Sequence, residues 1–81
     1  MNDAIRQLER FQTLHKLIKS GCTGDSSELA MRLHVTQRMV QHYLESFRDM
    51  GARISYDAIH RTYYYENSFD VEFLFRITVN S

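Results

Sequence analysis

Gln37, Arg38, Gln41 and His42 fall at spacings that gather them on the outer side of one helix, and their side chains are of the types that read nucleic acid. An arginine can meet guanine, and a glutamine adenine, through paired hydrogen bonds, so Gln37, Arg38 and Gln41 are the candidates for contact with base edges. Thr36, His42 and, farther along, Arg61 are candidates for contact with backbone phosphates. His60 and Arg61 together could touch phosphate or a minor groove. The plainer reading of the 37–42 set is a solvated face, which nearly every amphipathic helix has. Glu45 and Asp49 continue the same face and would repel phosphate, so any contact is confined to the first two turns.

Other chemistries find little support. His15, His34, His42, His60 and Cys22 show no C-x-x-C or H-x-x-x-H spacing, so no metal site is expected. There is no Gly-rich phosphate loop, no nucleophile with a motif around it and no paired carboxylates in a plausible cleft. Neither an enzyme nor a cofactor or small-molecule ligand is expected.

The elements that must position the candidates begin with residues 25–51, DSSELAMRLHVTQRMVQHYLESFRDMG. Asp25 can cap a helix from about Ser26 to Leu33, with Glu28 in the reciprocal position of a capping box. Thr36 can cap a second helix from Gln37 to Met50, closed by Gly51. A four-residue turn, Leu33 to Thr36, is what a helix-turn-helix uses to cross its helices steeply. Leu29, Ala30 and Leu33 on the first helix, and Val40, Leu44 and Phe47 on the second, face inward, with Tyr43 and Met50 beside them. Upstream, Asp3 to Ser20 carries Leu8, Phe11, Leu14 and Ile18 on one stripe, with Ile5 and Leu17 at its edges, and Gly21 ends it. Cys22-Thr23-Gly24 then leaves room for at most a strand-like bridge.

The period changes in RISYDAIHRTYYYE, where β-branched and aromatic residues dominate. A four-residue loop, Ala58 to Arg61, pairs Asp57 with Thr62, Tyr56 with Tyr63 and Ile54 with Tyr65. That register puts Ile54, Tyr56, Tyr63 and Tyr65 on one face, which is expected to pack on the helices while Tyr64 faces outward and Ile59, His60 and Arg61 project into solvent. Residues 1–66 form one domain in this reading, and residues 67–81 form a C-terminal strand in which Val71, Phe73, Phe75, Ile77 and Val79 alternate along the chain. A bare apolar strand of that length is a liability, so it either returns as a third strand on the hairpin or pairs with its symmetry mate. The expectation is a homodimer through Val71, Phe73, Phe75 and Ile77.

Eighty-one residues make one small domain, and 43% hydrophobic with 25% charged content places it among globular chains rather than disordered ones. Ten cationic side chains balance ten anionic ones, a neutrality unusual for a nucleic-acid module. The distribution is uneven: residues 1–20 carry +2, residues 21–61 carry 0 and residues 62–81 carry −2. Non-specific affinity for DNA is therefore expected to be weak. No window reaches the ~18 apolar residues of a membrane span, and MNDAIRQLER lacks the apolar run of a signal peptide. With a single cysteine, Cys22, these features make a cytoplasmic protein the expectation.

An ordered set of short motifs across residues 8–66 resembles the helix-turn-helix domain at the N-terminus of DeoR- and WYL-type bacterial transcriptional regulators. The residues that carry it are Gly24, Glu28-Leu29-Ala30, Leu33, Val35-Thr36, Arg38, Val40, Leu44, Gly51, Ile54-Ser55-Tyr56-Asp57 and Tyr63-Tyr64-Tyr65. Three positions depart from the family pattern: His34 stands where glycine is usual, which calls for a left-handed histidine, His42 where arginine is common and Tyr43 where an acidic residue is common. The resemblance implies an α+β winged helix of three helices and a hairpin wing, here with an extra C-terminal strand. It also implies a sequence-specific regulator that binds double-stranded DNA, with helix 37–50 in the major groove and the 58–61 wing tip on the backbone. The alternative is a winged helix used for protein–protein assembly without DNA, which the neutral net charge and apolar tail suit.

Overall fold

The computed structural model describes residues 3–69. Three helices, α1 (Asp3–Ser20), α2 (Ser26–Leu33) and α3 (Gln37–Asp49), precede strands β1 (Ile54–Asp57) and β2 (Thr62–Tyr65), which pair as one antiparallel hairpin. This α+β arrangement is compatible with a winged helix. The strand expected over residues 67–81, with Val71, Phe73, Phe75 and Ile77, lies outside the described residues apart from its first three.

Local signals set the helix ends. The Asp25 carboxylate accepts the Glu28 N–H at 2.9 Å and Glu28 Oε1 accepts the Asp25 N–H at 3.2 Å, closing the capping box at the start of α2. Gly24 (φ +74°) makes the box possible in two ways. Its backbone is left-handed, and a Cβ there would stand 2.7 Å from the Cβ of Glu28. At the other end of α2, His34 adopts φ 58° and ψ 45°, the left-handed histidine, and the Val35 N–H returns to the Ala30 carbonyl at 2.9 Å. The turn is shorter than expected: Leu33 belongs to α2, and only His34, Val35 and Thr36 separate the helices. Thr36 Oγ1 accepts the Met39 N–H at 3.1 Å and caps α3.

The core is the meeting of three helical stripes. Leu14 and Ile18 of α1, Leu29, Ala30 and Leu33 of α2, and Val40, Tyr43, Leu44 and Phe47 of α3 are buried together, joined by Ala52 and Ile54. Phe11 lies edge-on to Tyr43 and Phe47, with ring centroids 5.1 and 5.5 Å apart. The hairpin register is Ile54↔Tyr65, Ser55↔Tyr64, Tyr56↔Tyr63 and Asp57↔Thr62, as the loop length required. One expectation for its apolar face needs correction. Ile54, Tyr63 and Tyr65 pack on the helices, but Tyr56 is 40% exposed, because it rests on its cross-strand partner Tyr63, ring centroids 4.9 Å apart, and not on the helical core.

The edge of β2 away from β1 is held by a side-chain bridge. The Thr23 hydroxyl accepts the Tyr63 N–H at 2.8 Å, and the Thr23 N–H donates to Thr62 Oγ1 at 3.2 Å, both threonines being buried. The five residues between α1 and α2 form no strand, so one hydroxyl and one amide replace the missing ladder. Thr23→Val keeps the shape but strands the Tyr63 N–H, and is expected to cost about 1–3 kcal/mol, with Thr23→Ser near the parent. Urea unfolding midpoints check this, and a Thr23→Val midpoint equal to the parent's would remove the bridge from the account of the fold.

The chain stays tied to this core beyond β2. Asn67 Oδ1 accepts the Arg53 N–H at 2.9 Å and its amide donates to the Gly51 carbonyl at 2.9 Å. Phe69 packs against Phe47 and Tyr65, at centroid separations of 5.6 and 5.5 Å. His15 is buried beneath these rings, its Nδ1 2.8 Å from the Tyr65 hydroxyl. Burial pushes the Tyr65 phenol well above its usual range, so it stays protonated.

Candidate nucleic-acid interface

Because Val40, Tyr43, Leu44 and Phe47 occupy the inner face of α3, helical geometry leaves Gln37, Arg38, Gln41 and His42 outside, and all four are exposed. Arg38 and His42 stand one turn apart, as do Gln37 and Gln41, so the four make a compact patch over the first turns. Gln37 is partly committed: the Ser26 hydroxyl donates to its Oε1 at 3.2 Å, tying the start of α3 to the start of α2. Among the described residues the Gln41 carboxamide and the Arg38 guanidinium have no partner, and Arg38 forms no ion pair. Thr36 spends its hydroxyl oxygen on the Met39 N–H, which leaves its hydroxyl proton for an outside acceptor. Met39, 38% exposed beside Arg38, adds an apolar element to the patch that charge and hydrogen-bonding logic overlooked.

The second half of the exposed face is acidic, and Glu45 pairs with Arg48 at 3.3 Å. Arg48 also donates to the Ile54 carbonyl at 3.0 Å, so this cation joins α3 to the hairpin instead of facing solvent alone.

The hairpin tip is built differently from what its residue types suggest. Arg61, at a left-handed φ of 53°, reaches back across the molecule to Glu28 at 2.9 Å and Asp25 at 3.4 Å. The two carboxylates of the α2 capping box thus also grip the hairpin. His60 Nδ1 lies 2.6 Å from Asp57 Oδ2, and Asp57 Oδ1 accepts the N–H groups of Ile59 and His60 at 2.9 and 3.2 Å. The His60 side chain, then those N–H groups, hold the Asp57 carboxyl below the usual carboxylate range. Arg61 is therefore locally compensated and His60 is engaged by Asp57, and the foremost side chain at the tip is Ile59, 88% exposed. No sequence signal marks the Arg61 contacts, since 33 and 36 residues separate the partners.

The grip has an acid limit. The Glu28 N–H, then Arg61, lower the Asp25 pKa from 3.8. A depressed carboxylate contributes above its ordinary pKa, and the contribution is lost as pH falls through the lowered value. Carboxyl NMR is expected to place the Asp25 midpoint below 3.8, still below it but closer in Arg61→Ala, because the helix-cap N–H remains the larger cause. A midpoint unchanged by Arg61→Ala would remove the ion pair.

Among the described residues no group of three His, Cys, Asp or Glu side chains is placed to hold a metal ion, and no helix is long and apolar enough to cross a membrane. Compared with known protein families, curated proteins and solved structures, the chain matches none. The likeness to DeoR- and WYL-type domains accordingly stands on its motif residues alone.

Proposed function

We propose that this protein is a sequence-specific double-stranded DNA-binding regulator of transcription that presents the N-terminal half of α3 to the major groove. The observation that carries the reading is the patch of Arg38, Gln41 and His42 on a capped helix whose inner face is wholly buried, with the Arg38 guanidinium unpaired among the described residues. Bidentate donors of these types, on a rigid helix end, fit base edges. The hairpin serves as a wing lying over the flanking backbone, with His60 and Ile59 foremost. A homodimer joining two half-sites through residues 69–79 completes the proposal, and light scattering of the complex on a two-site duplex tests it. A strict monomer on DNA would end that part.

The neutral net charge and the compensated wing arginine, Arg61, favour a second reading, a winged helix used for protein–protein assembly. Anisotropy titrations on mixed-sequence duplexes at falling salt separate the two. The regulator binds measurably at low salt with a shallow salt dependence, because few phosphates are neutralised. No binding at any salt overturns the DNA reading, and selection of bound duplexes then identifies the operator if binding is seen.

A further inference from the structure

We propose that the cleft between the first half of α1 and the α2–α3 turn is a phosphate site, filled on DNA by a backbone phosphodiester flanking the groove that α3 enters. The DNA half of this rests on the function proposed above, and the anion site itself does not. The cleft encloses about 230 Å³, and Arg6, Arg10, Arg32, Thr13, His34 and Glu9 line it over the buried Leu33. Three guanidiniums against one carboxylate leave a formal +2 with the histidine neutral.

These charges are not spent elsewhere. The ion pairs among the described residues join Arg48 to Glu45, His60 to Asp57 and Arg61 to Asp25 and Glu28, and none of the three arginines of the cleft takes part in one. Arg10 is half-buried, so it has lost part of its hydration without gaining a carboxylate among the described residues. Like charges gathered around one concavity repel one another, and an anion between them relieves the repulsion. An apolar floor strengthens the field above it, as in any cleft lined by one sign of charge. Guanidinium forks match the oxygens of a phosphate in pairs, and a threonine hydroxyl adds a neutral donor.

Position selects the phosphate of a duplex. His34 in the cleft wall is two residues before Thr36, so its Cα lies within about 7.6 Å of the α3 cap, two steps of 3.8 Å. The major groove is only ~12 Å wide, which brings the phosphates on its rim within reach of this wall while α3 enters end-first. On the other side of the interface, Arg61 is already neutralised by two carboxylates. The structure thus moves the main phosphate contact from the wing to the α1–turn cleft. A free phosphorylated compound offers the same chemistry, and the experiment separates the two sources.

The full chain is titrated with inorganic phosphate, against chloride at matched ionic strength, while NMR follows the arginine side-chain N–H groups and the His34 ring. In parallel, duplex affinity is measured against salt for the parent, Arg32→Ala, Arg32→Lys, the double variant Arg6→Ala/Arg10→Ala, and Arg61→Ala. Phosphate is expected to shift Arg6, Arg10 and Arg32. Arg32→Ala and the double variant each lower the salt slope by about one unit, the value of one lost phosphate contact, while Arg32→Lys and Arg61→Ala keep it. A slope change without a response to free phosphate supports the phosphodiester alone. A phosphate response with an unchanged slope assigns the site to a free phosphate compound and overturns the DNA half. A phosphate response with no duplex binding at all leaves the anion site standing and fells the proposed function instead. No phosphate response, with the slope unchanged or duplex binding absent, overturns the site.

Discussion

Phe47→Ala is expected to lower the unfolding free energy by about 3–5 kcal/mol, the largest single loss available in this fold. Phe47 has no exposed surface and stands where all three helices and the chain after the hairpin converge, with the rings of Phe11 and Phe69 5.5 and 5.6 Å away. Its own carbonyl accepts the Ala52 N–H at 3.0 Å, so the residue also fixes the exit from α3. Truncation opens a cavity walled by side chains on separate elements, which cannot all move inward at once. A chain of this size has a total stability of roughly 4–12 kcal/mol, so the loss is a large share of the whole and leaves the variant partly unfolded at 25 °C if the parent lies at the lower end. Tyr56→Ala supplies the contrast: an exposed ring that rests on Tyr63 contributes about 0.5–1.5 kcal/mol through that pair. Urea unfolding of both variants checks the ranking, and a Phe47→Ala protein with the parent's midpoint would displace the inward face of α3.

What the sequence disclosed about the fold followed from short-range physics. Asp25 with Glu28, and Thr36 before an apolar stripe, state where two helices begin, because a cap acts on an N–H only three residues away. The hairpin register was legible for a similar reason: a four-residue loop admits one pairing that keeps the apolar residues on one face. What stayed hidden depends on tertiary proximity. Thr23 reads as a connector residue, and only the approach of β2 turns its hydroxyl into an acceptor for Tyr63. His15 reads as one more histidine on a long helix, yet burial and the Tyr65 hydroxyl make it part of the core.

The exposed patch on α3 was legible to the same degree. Periodicity alone puts Gln37, Arg38, Gln41 and His42 outside once Val40, Leu44 and Phe47 are inside. Which cations remain free was not, because charge balance in a sequence does not say which opposite charges meet. Arg61 is held by residues 33 and 36 positions away, whereas Arg38 forms no ion pair among the described residues. Under the function proposed above, the consequence is a division of labour, with base reading on α3 and the hairpin held by the capping box of α2. Gly24 underlies the second role, since any side chain there would displace Glu28 and with it one of the carboxylates that Arg61 grips.

Arg38→Ala is expected to separate function from stability. The residue is the second of α3, beside the positive end of the helix dipole, and the first turn of α3 contains no acidic residue to offset it. A cation there gains nothing from the helix and, among the described residues, has no ion-pair partner. Replacing it with alanine, the best helix former, should therefore leave the melting temperature unchanged or raise it slightly. Binding should respond in the opposite direction. If Arg38 reads a guanine, the variant loses about 1–3 kcal/mol of discrimination at that base pair, roughly 5- to 150-fold, while its affinity for unrelated duplexes changes little. The decisive measurement is a cycle on the selected operator. Changing the guanine weakens the parent protein and leaves Arg38→Ala indifferent, because the contact is already gone. If both proteins lose the same factor, Arg38 is not the reader, and Gln41, whose carboxamide has no partner among the described residues, takes the same test at an adenine.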